Sequence, residues 1–167
     1  MSNYWHIQLH PGHLESFDDE QFNKAINEGI IGMSRGWNND GGLPIIFRYE
    51  VAIGDIIMVR HHGSKVLVEV ISDVYENNRT KDFWFDIVRK VKVLSRDGAL
   101  YQSQFNGEWT EGLNLKAAFQ SANKNKFILY WMNEVLRHQL KELREVNELN
   151  TIEKSKYSID IKINIVP

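Results

Sequence analysis

The sequence predicts an α+β fold, and three observations carry that reading. Short segments of alternating apolar and polar residues dominate the first 95 or so positions. The strongest helical apolar period comes after them, from Phe127 to about Leu149. The length of 167 residues, with 43% hydrophobic and 25% charged residues and 3 prolines, suits one compact domain and argues against disorder or fibrous repeats.

Taken in order, Tyr4-Trp5-His6-Ile7-Gln8-Leu9 reads as a strand stopped by Pro11-Gly12. Ser16 or Asp18 then caps a helix with Phe22, Ala25, Ile26 and Ile30 on one face, an acidic first turn, and Gly29 at its end. That first turn favours the positive end of the helix dipole and repels phosphate. Residues 32–42, with glycines and short polar side chains around Trp37, read as an irregular loop able to hold backbone close to a ligand. Strands are expected at 55–60 and 66–71, joined by a hairpin loop, residues 61–65, that needs Gly63. Residues 83–94 are strand-rich, with Ile87, Val91 and Val93 facing a core and Lys90 and Lys92 facing water.

A second polar loop, residues 106–112, carries Trp109, and Asn114 is expected to cap a helical run through Ala117, Ala118 and Phe119. Residues 127–149 form the strongest helical signal, with Leu129, Met132, Leu136, Leu140 and Leu143 along one stripe. The isoleucines at 159, 161, 163 and 165 alternate with polar residues and predict a strand or the start of a connection. The expected organisation is therefore a domain over 1–150, followed by a strand or linker over 151–167 leading toward a missing domain.

The formal charge of -2 gives no global polyanion signal, so nucleic-acid contact requires a local basic patch. Absence of cysteine excludes disulfides, Cys-ligated zinc, iron–sulfur clusters and thiol nucleophiles, and is compatible with the cytoplasm as the expected compartment. No signal peptide or membrane-spanning stretch is read. The histidines at 6, 10 and 13 lack the carboxylate pattern of a metal site, and no cofactor motif is present. Gly32-Met33-Ser34-Arg35-Gly36 matches G-x-S-x-G but follows a helix rather than a strand, and no P-loop run occurs. A nucleotide hydrolase is therefore not expected within this chain.

The tryptophans are more informative. Trp131 reads as helix packing, whereas Trp5 and Trp84 suit either a core or a pocket wall. Trp37 and Trp109 sit in polar, glycine-containing loops and are the first candidates for stacking on a ligand. A flipped base offers the flat partner, since stacking contributes about 1–3 kcal/mol per base against an extrusion cost of a few. Arg79, Lys81, Arg89, Lys90, Lys92 and Arg96 form a locally basic stretch, and Arg35, Arg60 and Lys65 flank the loop and hairpin; these can track phosphates, although a solvated sheet face explains them equally.

The ordered segments Tyr4-Trp5-His6-Ile7-Gln8, Ile31-Gly32-Met33-Ser34-Arg35-Gly36-Trp37, Ile53-Gly54-Asp55-Ile56-Ile57-Met58-Val59-Arg60 and Val68-Glu69-Val70-Ile71-Ser72-Asp73 resemble the EVE family of the PUA-like superfamily, relatives of YTH readers. The resemblance covers roughly residues 3–135 and is closest to the N-terminal specificity modules of McrB-type modification-dependent restriction systems. It implies a curved β barrel with surrounding helices and an aromatic pocket for a flipped, modified base of double-stranded DNA, methylated adenine or modified cytosine. A GTPase motor and a nuclease would reside in other domains or subunits. Carried over, Trp37 becomes one cage wall and Ser34 or Asn39 test the base edge. Trp109 is the first choice for the second wall, with Trp84, Trp5 and Tyr49 in reserve. Arg35, Arg60, His61, His62, Lys65, Arg79, Lys81, Lys90 and Lys92 are candidates for the nucleic-acid backbone. A reader of modified RNA, a small-ligand binder and a protein-interaction module built on the 129–143 stripe remain as alternatives.

Overall fold

The computed structural model describes residues 1–9, 17–35, 43–76 and 83–165. The chain divides into two compact units, Met1–Trp131 and Met132–Pro167. The first unit is built on β1 (Tyr4–Gln8), α1 (Asp19–Glu28), β2 (Ile30–Met33), α2 (Leu43–Tyr49), β3 (Ile56–His61), β4 (Ser64–Val70), β5 (Tyr75–Glu76), β6 (Ile87–Ser95), α3 (Gly98–Gln104) and β7 (Phe119–Ser121), and α4 (Lys126–Ile165) runs from it into the second. The strands form one curled, mixed sheet in the order β2-β6-β4-β3-β1-β7, with β5 also on β6. β1 and β3 are parallel and the other pairs antiparallel, so the fold class is α+β as expected.

Strand alternation gives the sheet two apolar faces. Trp5 and Ile7 of β1, Ile57 and Val59 of β3, and Val66, Val68 and Val70 of β4 face the main core, where α1 contributes Phe22, Ala25 and Ile26. Asp18 caps α1 by accepting from Gln21 N at 3.0 Å, and Gly29 closes it in the left-handed region at φ 71°. The opposite face carries His6, Met58 and Leu67, all buried. Gly98 of α3 comes so close to β4 that a Cβ there would lie 2.7 Å from Lys65 O and 3.0 Å from the Trp131 ring. Phe127, Trp131 and Tyr101 complete this second layer, and Trp131 Nε1 donates to Ser95 Oγ at 3.0 Å.

Several elements differ from the sequence expectation. Gly32 lies inside β2, because its lack of a Cβ admits the Phe85 ring; an added Cβ would sit 2.3 Å from Phe85 Cδ2. Ile30 likewise begins β2 instead of ending α1. The short helices α2 and α3 carry too few turns for a periodic signal. At the β3–β4 turn the left-handed residue is His62, φ 51°, and not Gly63. Residues 117–119 are not helical: Gln8 N donates to Ala118 O at 2.8 Å and β7 pairs with β1, so the open sheet edge overrides the local pattern. Where a strand or the start of a connection is expected from Ser158 onward, α4 continues through Ile165. A helix satisfies its own backbone groups, whereas a strand there needs an edge to pair with.

α2 is anchored by Arg89 of β6, only 2% exposed. Its guanidinium donates to Phe47 O (3.1 Å), Arg48 O (3.0 Å), Val51 O (2.8 Å) and Ser72 O (3.1 Å). A cation at a helix C-terminus satisfies carbonyls that have no intrahelical donor and complements the dipole.

Candidate nucleic-acid interface

Arg60 and His61 are consecutive on β3 and therefore point to opposite faces. On the core face His61 is buried, with Nδ1 at 3.0 Å from Asp19 Oδ1 and Nε2 at 3.0 Å from Phe17 O, both acceptors. Its ring stacks on Phe22 and meets the edge of Phe17. Phe17 in turn lies edge-on to Trp84 at 6.3 Å, and Trp84 is edge-on to Phe85 at 5.4 Å. Trp84 is thus held half-buried at the entrance to β6. The neighbouring end of β2 delivers Ser34, since Met33 pairs with Ile87 and Arg35 N donates to Asp86 Oδ1 at 2.8 Å. The Arg35 side chain is engaged by Asp86 (3.3 Å) and Glu76 (3.1 Å), and Glu76 also holds Arg48 at 2.8 Å. The hydrogen bond from Arg48, followed by the charge of Arg35, keeps the Glu76 carboxyl below the usual carboxylate range.

On the other face Arg60 lies directly opposite Lys65 of β4. Trp109 closes over both, with Lys65 Nζ 4.1 Å and Arg60 Cζ 5.6 Å from its ring centroid, within cation–π range. Lys65 Nζ donates to Gln102 Oε1 at 2.8 Å. Arg60 Nε donates to His6 Nε2 at 3.3 Å, and its terminal nitrogens reach His62 O and Leu115 O, each at 3.5 Å. The other ring nitrogen of His6, Nδ1, faces Gln120 Nε2 at 3.3 Å. That amide is oriented by Asn114, whose N–H donates to Oε1 and whose carbonyl accepts from Nε2. Burial, then Arg60, then Lys65 lower the His6 pKa to about 4, so the ring is neutral at pH 7. Burial also lowers Arg60 and Lys65 from their ordinary values, Lys65 further through Arg60. Among the described residues, no carboxylate lies within ion-pair distance of either cation.

The sequence-derived site residues therefore fall into separate places. Ser34, Arg35 and Trp84 gather at the β2–β6 end, whereas Arg60, Lys65 and Trp109 gather on the outer face of the β3–β4 hairpin. Trp109 and Trp84, the first and a reserve choice for the second cage wall, consequently face different sides of the hairpin. Trp5 is 6% exposed, stacks on Phe119 at 5.1 Å and donates to Asp55 Oδ2 at 2.9 Å, which is a packing role. Tyr49 is 76% exposed on α2. His61 is 1% exposed and turned into the core, so it does not present itself to a phosphate, while His62 is exposed at the turn. Lys90 and Lys92 are exposed on β6, with Lys92 opposite Glu69. Trp37, Asn39, Arg79 and Lys81 lie outside the described residues. Phe17, Gln102 and Gln120 organise the two sites without having been read from the sequence, because their partners are 37 to 114 positions away.

Among the described residues no group of three His, Asp or Glu side chains is placed to hold a metal, and no helix is long and apolar enough to cross a membrane. The chain matches no protein family and no curated protein. Solved structures similar to it include the YTH domain of the Zygosaccharomyces rouxii MRB1 protein in complex with N6-methyladenosine RNA, at 18% identity and a TM-score of 0.36, covering 55% of this chain and 57% of that one. A hypothetical protein from Leishmania major is 13% identical with a TM-score of 0.40, covering 83% of this chain and 98% of that one. A protein of Agrobacterium tumefaciens is 14% identical with a TM-score of 0.42, covering 77% and 90%. The chain thus spans little more than half the length of the YTH domain.

Proposed function

We propose that this chain binds nucleic acid without covalent chemistry and reads a modified base, as the specificity module of a McrB-type restriction system whose GTPase motor and nuclease reside elsewhere. One observation carries the reading: Trp84 is held half-buried in T-shaped contacts with Phe17 and Phe85, beside the strand end that supplies Ser34. A fixed aromatic face next to short polar groups suits a base taken out of its stack, with the ring holding it and the polar groups testing its edge. In this reading Trp84 takes precedence over Trp109 as the second wall, with Trp37 as the first and Ser34 or Asn39 testing the base edge. A methyl group gains apolar contact that an unmodified base leaves unfilled. The proposed substrate is double-stranded DNA carrying methylated adenine or modified cytosine.

The test is binding at fixed salt to matched duplexes with unmodified bases, N6-methyladenine, 5-methylcytosine or 5-hydroxymethylcytosine, alongside matched RNA strands. Wild type is expected to prefer one modified duplex, and Trp84→Ala and Trp37→Ala to lose the preference while remaining folded. Equal binding to all probes overturns the reading, and preference for a modified RNA moves it to that polymer.

A second reading, a protein-interaction module, has its own observation. Leu136, Leu140 and Leu143 are 44%, 56% and 59% exposed along one stripe of α4. Its measurement is the solution mass of the wild type against Leu140→Glu.

A further inference from the structure

We propose that Arg60 and Lys65 form a phosphate-binding site on the outer face of the β3–β4 hairpin, with the Trp109 indole as its movable cover. The inference rests on the nucleic-acid reading only for the source of the phosphate. Like charges directly opposite each other in an antiparallel ladder destabilise the pair, so an arrangement of this kind calls for an anion. No described carboxylate supplies one. Instead, an indole face and neutral oxygens occupy the cations.

The donors are also underused. Lys65 offers three N–H groups and makes one hydrogen bond, to Gln102. Arg60 offers five and makes contacts of 3.3, 3.5 and 3.5 Å, at the long limit for a hydrogen bond. His6 fixes Arg60 from one side without competing for the anion, because it accepts through Nε2 and is held neutral by burial and the two cations. A tetrahedral phosphate would take short, charge-assisted bonds from both side chains in place of these long neutral ones.

Trp109 is the element that must move, since Lys65 is only 7% exposed beneath it. Its backbone stays in place: Asn125 Nδ2 donates to Trp109 O and to Glu111 O, both at 2.8 Å. Opening is therefore a rotation of the indole about its side-chain torsions and not a loop displacement. A phosphodiester of the nucleic acid and the phosphate of a free nucleotide share this chemistry.

The experiment uses the 15N-labelled full chain, following the Trp109 Nε1–H and Arg60 Nε–H signals, the former assigned by Trp109→Phe. The probes are inorganic phosphate, pyrophosphate, a base-free deoxyribose-phosphate oligomer and an ordinary oligonucleotide. Both signals are expected to move with the base-free oligomer in wild type and in Trp84→Ala, and the Trp109 signal to stay still in Arg60→Gln and Lys65→Met. The methionine keeps the buried stem of Lys65, and Arg60→Lys controls for folding by retaining a response. For oligonucleotide binding, each neutralising substitution is expected to lower the salt slope by about 1. Movement with the small phosphates at lower concentration than with the oligomer assigns a free nucleotide, and the reverse assigns a backbone. Silence of both signals toward every probe, or unchanged responses in both cation variants, overturns the site. Loss of modified-base preference fails independently: it would leave these signals responding to the base-free oligomer.

Discussion

Arg60 and His6 are joined by a hydrogen bond in which the guanidinium Nε donates to the imidazole Nε2 at 3.3 Å, and this fixes His6 as an acceptor beside two cations. Protonation would add a third positive charge to a buried face and would turn Nε2 into a donor facing a donor.

The first prediction is a pH dependence. His6 has a folded pKa of about 4 against 6.5 for the unfolded residue, so the unfolded chain binds more protons between those values. The contribution of His6 is complete above pH 6.5 and is lost as pH falls toward 4. Two to three pKa units correspond to roughly 3 kcal/mol at full extent. Urea midpoints across that window should fall for the wild type and fall less steeply for His6→Gln; parallel slopes would remove His6 from the account.

Arg89 supports a second prediction. Arg89→Met fills a similar volume yet leaves the carbonyls of Phe47, Arg48, Val51 and Ser72 without their donor. Burial lowers the guanidinium from its ordinary value, with Asp73 and Asp55 opposing that effect, so the charge is retained through its hydrogen bonds and acidic surroundings. The expected loss is about 3 kcal/mol in urea unfolding. Arg89→Lys should recover only part of it, because one ammonium cannot span four carbonyls.

Gly32 links the fold to the proposed base site. The Cβ of Gly32→Ala would lie 2.3 Å from Phe85 Cδ2 and 2.5 Å from Ile87 O, so the ring must shift. Overpacking of this kind costs about 1–3 kcal/mol. Phe85 is edge-on to Trp84, and its displacement should weaken modified-base preference more than total nucleic-acid affinity. Equal loss of both in the duplex series would separate Gly32 from base reading.

Much of the fold was legible because its signals are local. Asp18 and Gly29 bound α1 through capping chemistry written within a few residues, and the alternation around Ile57 to Val70 defines the central hairpin. The misread segments depend on distant partners. Phe119 follows two alanines and looks helical, but the open edge of β1 is 112 positions away, at Ile7, in the ladder. The site divides in the same way: Trp84 and Trp109 are conspicuous as tryptophans, yet their assignment to different faces follows only from the alternation of Arg60 and His61 and from contacts made by Phe17 and Lys65. Sequence shows which rings are costly to expose, while topology decides which rings can meet.

The last prediction concerns Asn125, completely buried at the start of α4. Its Oδ1 accepts from Ile128 N at 2.9 Å, the geometry of an N-cap, while Nδ2 donates to Trp109 O and Glu111 O. The three bonds separate by substitution. Asn125→Ser keeps a capping oxygen and loses the loop bonds; Asn125→Asp keeps the cap but sets a carboxylate against two carbonyls; Asn125→Ala loses everything. Asn125→Ala should cost about 2 kcal/mol, and Asn125→Ser less. Asn125→Asp should be at least as unstable as Asn125→Ala if the loop bonds matter, since a buried carboxylate facing acceptors is worse than a void. In the folded state of Asn125→Ser, the Trp109 indole signal should broaden while helix signals near Ile128 persist. Stability of Asn125→Asp equal to wild type would show that capping alone accounts for the residue and that the loop beneath Trp109 is held by other contacts.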